Sequence, residues 1–314
     1  MRMRRAVACA GLLTVVGAGC TATSPGQVDP ETPPTPGASE RVDRHDAALA
    51  PALAGSPTRP RSPRQAAAQL VAADRALREP GAPRDLLAAA GHTQQVAVRE
   101  LADRPGWDRR VAALLPRPVR RDTVDNVDAR RTFRSMFPDD VRELADEVPA
   151  WRIVAPRPAA ELHRHYREAQ RRYGVDWEYL AAINLVETAF GRIDATSVAG
   201  AQGPMQFIPT TWGIYGRGGD ITDPRDAILA AGRLLAANGF SEDRAGALYR
   251  YNNSDAYVRG VTAHARVMQR TAHAYRGYHQ WPVYYLTRRG AVWLPEGYDE
   301  RRPVPVREYL SGRS

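Results

Sequence analysis

All 24 aromatic residues of this chain, 6 Trp, 13 Tyr and 5 Phe, lie at or after Trp107. Aromatic side chains bury more apolar area each than any others. The first third of the chain therefore lacks the large groups that build a core, and the main packed domain is expected in the second half. A length of 314 residues with an apolar share of 43% allows one or two domains and excludes disorder of the whole chain.

The aromatic-free part divides further. Arg2, Arg4 and Arg5 precede an apolar run over residues 6–18, which has the charged start and short apolar stretch of an export signal and is too short to span a bilayer. The run ends in Gly17-Ala18-Gly19-Cys20, which resembles a bacterial lipobox, with Gly17 standing where Leu is usual. A lipid on Cys20 is the expectation, giving a signal peptide over residues 1–20 and a membrane anchor. The alternative is an ordinary secretory signal cleaved nearby. Cys9 would leave with the signal and Cys20 would be the remaining thiol, so no disulfide within one chain is expected. Residues 21–63 contain nine prolines and no aromatic residue, the composition of a disordered, semi-extended tether.

The net charge of +9 comes from 44 basic residues, all of them Arg, against 35 acidic ones. This favours an anionic partner. The Arg residues are spread along the chain with no helix-turn-helix or zinc-finger spacing beside them, so nucleic acid is not expected, whereas a wall or membrane polyanion fits. The seven His show no ligand spacing, and neither a metal nor another cofactor is expected.

Residues 64–104 are rich in Ala and Leu around Pro80, Gly81 and Pro83, the pattern of two helices and a turn, with Leu70, Ala73 and Leu77 at helical spacing. Residues 107–115 predict a short helix stopped by Pro116 and Pro118, and residues 124–136 another. Stronger helical signals follow over residues 160–173, ended by Gly174, and over 176–190, capped by Asp176 and stopped by Gly191. Asp223-Pro224 opens a helix reaching toward Gly239; Ser241 caps a shorter one to about Tyr251; Asp255 starts the last, to about Ala274. Residues 279–286 and 291–294 read as a β-hairpin around Arg288-Arg289-Gly290. The fold class is mainly α, with a helical N-terminal region (64–150), a helical main domain (151–278) and a small C-terminal hairpin and tail (279–314).

Glu187 stands out within this frame. Its helix is apolar nearly all round: Leu180 shares its stripe, flanked by Ile183 and Asn184, and Ala182, Leu185, Val186 and Ala189 occupy the opposite side. Burial and the negative end of the helix dipole both favour a protonated Glu187, as a general acid at neutral pH requires. A structural pair with a neighbour such as Arg192 is the plainer alternative. Downstream, Gly200 and Gly203 permit close backbone approach, Gln206 offers a donor and an acceptor, and Trp212 and Tyr215 offer flat faces for sugar rings.

Three ordered segments carry a resemblance: Glu187-Thr188 with Gly191; Gly200-Ala201-Gln202-Gly203-Pro204-Met205-Gln206-Phe207-Ile208-Pro209-Thr210-Thr211-Trp212; and Tyr249-Arg250-Tyr251-Asn252. Together they resemble the lytic murein transglycosylases of the goose-lysozyme-like or SLT group over roughly residues 160–270. The loop is especially similar to the membrane-bound B-type branch, and the whole looks like an actinobacterial lipoprotein version. Thr188 stands for the usual Ser, and Tyr249 for the usual Ala, which adds bulk near the pocket. The resemblance implies an α+β lysozyme-like fold and cleavage of the β-1,4 bond between MurNAc and GlcNAc in peptidoglycan, closing a 1,6-anhydroMurNAc ring, with Glu187 as sole general acid and base. It further implies a substrate-binding set: Thr188 and Gly203, the Met205 region and Gln206 on the acetamido groups, and Tyr251 and Asn252 supporting Glu187 and the sugar. A monomer at the outer face of the cytoplasmic membrane or in the wall, acting on glycan strands, is the corresponding expectation. Asp194, Asp220 and Asp223 leave a second carboxylate available in sequence, so a hydrolytic muramidase stays open, as does a non-catalytic peptidoglycan-binding scaffold.

Overall fold

The computed structural model describes residues 57–312. The export signal, Cys20 and all but the last residues of the expected tether lie outside them. Of those last residues, Pro60 is buried and the Thr58 carbonyl accepts from Gln69 Nε2 at 3.0 Å, while Thr58, Arg59 and Arg61 are exposed.

Helix α1 (Pro63–Arg78) starts where Ser62 Oγ accepts from the Gln65 N–H and Pro63 fills a position that needs no donor. Pro80 and Gly81 end it, and α2 (Arg84–Asp103) follows. Beyond a short α3 (Asp108–Leu114), α4 (Arg117–Arg134) begins earlier than its sequence predicts. Pro116 is its N-cap and Pro118 lies in its first turn, where the missing N–H costs nothing, so these prolines start a helix and do not merely stop one. These helices build a core mainly from small and aliphatic side chains, with Trp107 packed against it. Ala66, Leu70, Val98 and Leu101 pack against Val111, Leu115, Val119 and Val127, and Ala73, Ala76, Leu77 and Ala90 form a second cluster. Small side chains let the backbones close up: a Cβ on Gly91 would lie 2.4 Å from Gln280 Cβ.

The second half is built around α6 (Trp177–Thr188), which follows α5 (Ala159–Tyr173) across Gly174 at φ 70°. Asp176 occupies the N-cap position but makes no side-chain cap bond; its carboxylate accepts from Arg244 at 3.0 Å. Then come α7 (Pro209–Tyr215) and α8 (Pro224–Ala237), the latter capped by Asp223 as expected. Helix α9 (Arg244–Tyr251) is capped by Asp243, not by Ser241, whose hydroxyl donates to Glu242. Helix α10 (Asp255–Arg270) is capped by Ser254 and stops short of the expected end, and α11 (Ala274–His279) takes the chain onward. Leu180, Ile183, Ile228, Leu235, Val261 and Tyr278 are among the buried residues of the large central cluster. Helix α10 packs against α6 and also against α4, which joins the N-terminal helices to the centre.

The strands form antiparallel pairs: β1 (Glu147–Val148), β2 (Arg152–Ile153) with β3 (Ile193–Asp194), and the hairpin β4 (Val283–Thr287) with β5 (Gly290–Leu294), while β6 (Val304–Pro305) pairs with β1. The hairpin turns over Arg288 and Arg289, with Gly290 at φ 96°. Val148, Trp151, Ile153, Tyr285, Leu294 and Val306 share one apolar cluster, so segments far apart in the chain bury a common surface. The final helix α12 (Val306–Ser311) closes it. The molecule is mainly α with small strand pairs, as the sequence predicts.

Candidate active site

Glu187 sits in the last turn of α6 and is 3% exposed. The helix ends at Thr188, two positions before the expected Phe190, because Ala189 (φ 52°) and Phe190 (φ 65°) adopt left-handed backbone ahead of Gly191. Such a conformation costs a non-glycine residue on the order of 1 kcal/mol. It is held by the Ala189 N–H on the Leu185 carbonyl, the Phe190 N–H on that of Asn184, and burial of the Phe190 ring against Tyr275 and His279. Thr188 fixes the same end: its hydroxyl donates to the Pro204 carbonyl at 2.7 Å and accepts from the Gly191 N–H at 2.9 Å.

The Glu187 carboxyl accepts a hydrogen bond from the Tyr257 hydroxyl on Oε1 at 2.8 Å, and its Oε2 is buried with no hydrogen-bond partner among the described residues. Burial pushes the carboxyl up to about 8, against the opposing effect of the Tyr257 bond. Among the described residues no charged group contributes to that shift. Arg192, the plainer partner in the sequence, turns its guanidinium to the His279 carbonyl at 3.0 Å. The carboxylates that could have seconded Glu187 are engaged elsewhere: Asp194 pairs with Arg152, Asp220 accepts from the Thr222 backbone and hydroxyl, and Asp223 caps α8.

Tyr257 is the residue that sequence reasoning missed. Ser254 starts α10 and places Tyr257 in its first turn, where a tyrosine reads as ordinary core; a capping Ser three positions before it is the only local signal. Tyr251 bonds not to Glu187 but to the Met205 carbonyl, at 2.7 Å, and its ring lies parallel to that of Tyr257 with centroids 6.3 Å apart. Its support for the carboxyl is indirect. Asn252 is buried at the C-terminal end of α9.

The glycine loop is a tight backbone ring. Gln202 and Phe207 exchange N–H···O bonds of 2.9 Å, and the Gln206 N–H reaches the Gly203 carbonyl at 3.0 Å. Gly203 has φ 71°, and a Cβ there would lie 1.9 Å from the Ile221 carbonyl oxygen, so both backbone and space demand glycine. Gln206, itself at φ 50°, spends its Nε2 on the Gly203 carbonyl and leaves its amide oxygen as the acceptor. The Met205 side chain is fully buried, and its sulfur lies 3.1 Å from Asn184 Nδ2. Asn184 ties the region together, since the same amide donates to the Pro204 carbonyl and its Oδ1 accepts from the Tyr166 hydroxyl. Trp212 packs edge-on to Phe207 and is half-buried with Tyr215 on the core; Tyr249 is exposed.

A Glu in the last turn of a buried helix, bonded to a tyrosine and tied through Thr188 and Asn184 to a glycine-glutamine loop, is a compact arrangement of sequence-distant parts. Residues 164–273 match the family model of the transglycosylase SLT domain. The SLT-matched segment includes Glu187, the loop, Tyr251 and Tyr257. Over 81 residues the chain is 37% identical to the membrane-bound lytic murein transglycosylase F of Thiobacillus denitrificans (strain ATCC 25259 / T1), which covers 26% of this chain and 17% of that protein. The chain thus spans about 17% of the length of the curated relative it matches. No solved structure matches it. The SLT match does not single out a B-type branch, and the relative bears the F name.

Proposed function

We propose that this protein is a peptidoglycan lytic transglycosylase in which Glu187 works alone. One observation carries this reading: a buried carboxyl, held on one oxygen by Tyr257, with its other oxygen unpartnered and no second carboxylate acting on it. With its pKa pushed up to about 8, Glu187 carries a proton at neutral pH. It gives that proton to the oxygen linking MurNAc to GlcNAc, while the MurNAc acetamido group stabilises charge developing at C1. The Tyr257 hydroxyl, already on Oε1, stabilises the carboxylate that results. That carboxylate then takes the proton of the MurNAc 6-hydroxyl, whose oxygen bonds to C1 and closes the 1,6-anhydro ring. Water is not consumed. Because Oε2 is buried, glycan binding has to open a path to it, and the loop carrying Gln206 and the end of α9 carrying Tyr251 and Asn252 are the segments beside which the strand would lie. In this reading Thr188, Gly203 and Met205 shape the site, and Gln206 offers its amide oxygen to an acetamido N–H.

An exported protein, held at the membrane through lipidated Cys20 and acting as a monomer on glycan strands, fits the N-terminal sequence and this activity. Among the described residues no helix is long and apolar enough to cross a membrane. Digestion of purified peptidoglycan, with products read by mass spectrometry, tests the reaction. Anhydro-ended fragments, one water lighter than hydrolytic ones, are expected from the wild type, and Glu187→Gln should lower turnover by about 10²- to 10⁴-fold. Reducing ends from the wild type would make it a muramidase, and unchanged wall binding with no turnover by either protein would make it a scaffold.

A further inference from the structure

On the face of α6 opposite Glu187 lies a cavity of about 170 Å³, walled by Val98, Phe133, Leu185, Val186 and Val283. Nothing in the glycan chemistry uses it. Its walls are apolar, yet Arg99 from α2 and Arg130 from α4 also line it. The Arg99 guanidinium lies 4.3 Å over the Tyr284 ring, and its Nε is buried with no hydrogen-bond partner among the described residues. Among the described residues neither arginine forms an ion pair. Burial lowers the pKa of both, and each is pushed down further by another arginine, Arg99 by Arg130 and Arg130 by Arg134, while the exposed Asp103 is the acid whose field reaches the two.

Among the described residues three more lining side chains hold a buried polar atom without a partner: the donor Trp151 Nε1, the acceptor Gln95 Oε1, and His264 Nδ1. All three residues are less than a tenth exposed. Leaving such an atom unpaired is costly, and a cation without a counter-charge is costlier still even where, like Arg99 and Arg130, it is only half-buried. The unpaired donors Trp151 Nε1 and Arg99 Nε call for an acceptor that is anionic, and the apolar walls for a body that is not; Gln95 Oε1, itself an acceptor, would stay outside that pairing.

We infer that this cavity binds a small carboxylate carried on an apolar body about the size of one ring. A flat carboxylate matches the planar guanidinium fork, with the Trp151 N–H and Arg99 Nε–H as further donors. Size sets the body: an apolar cavity of about 150 Å³ accommodates benzene. The site is separate from Glu187 and does not depend on the proposed glycan reaction.

Titration of the isotope-labelled protein with benzoate, followed by NMR, tests the assignment, with benzyl alcohol as the neutral counterpart. Saturable shifts centred on Val98, Leu185 and Val283 are expected, with benzyl alcohol at least tenfold weaker. Arg99→Met and Arg130→Met should each weaken benzoate at least tenfold, and Glu187→Gln should leave its affinity unchanged. Should Arg99→Met not fold, Arg130→Met alone decides. Absence of saturable shifts, equal affinity for the alcohol, or undiminished binding by a folded arginine variant would each overturn the inference.

Discussion

At the scale of single residues, the consequence of Glu187's surroundings is a pH-dependent stability. Its folded pKa of about 8 stands above the ordinary 4.5, so between those values the folded chain holds a proton that the unfolded chain releases. The stability this group allows is fully present below about pH 4.5 and is lost as pH rises through about 8. Glu187→Gln keeps the neutral shape at every pH. Thermal melts between pH 4 and 9 should show that variant losing the wild type's decline, with a gain on the order of a few kcal/mol at the alkaline end. Tyr257→Phe acts the other way on the carboxyl: with the bond that lowers its pKa removed, the alkaline limb of the kcat/KM profile should move to higher pH while kcat falls. A limb that stays in place would deny Tyr257 this role. Both residues are buried, but only Glu187 announced itself in sequence, because a carboxylate among Leu, Ile, Val and Ala is an anomaly and a tyrosine is not.

At the scale of elements, the junction between α6 and the glycine loop holds the carboxyl in place. Thr188 bridges the two through the Pro204 carbonyl and the Gly191 N–H. Thr188→Val preserves the volume and removes both bonds, so denaturant unfolding should show a loss of about 1–3 kcal/mol with a lower kcat, and Thr188→Ser should restore most of each. Gly203→Ala places a methyl carbon against the Ile221 carbonyl oxygen on a backbone that already favours glycine. It should unfold the loop locally, seen as lost amide protection over residues 200–207. Element boundaries were legible where one local signal acts alone: Asp223-Pro224 starts α8, and Gly174 ends α5. They were not where several capable residues compete. Asp176 was drawn to Arg244 across the fold, Ser241 to Glu242, and the cap of α9 fell to Asp243.

At the scale of the whole molecule, the aromatic-poor helices prove to be part of the support for the site. Helix α4 packs on α10, the helix that carries Tyr257, and Phe133 stacks on His264, so that the Glu187 partner is held from behind by the N-terminal region. A fragment beginning at residue 151 would expose that face of α10 and lose the β1 to β6 pairing. It should retain helical far-ultraviolet circular dichroism but lose cooperative melting and turnover. The sequence by itself determined the mainly helical class, the order of helices from their caps and breakers, the anomalous Glu187 and the glycine loop after it, since these depend on residues a few positions apart. Only the tertiary structure decided that Tyr257 and not Tyr251 bonds to the carboxyl, that Arg192 does not pair with it, and that Arg99 and Arg130 line one cavity. Hydrogen bonds and burial between residues tens of positions apart depend on how helices pack, and no local pattern encodes that packing.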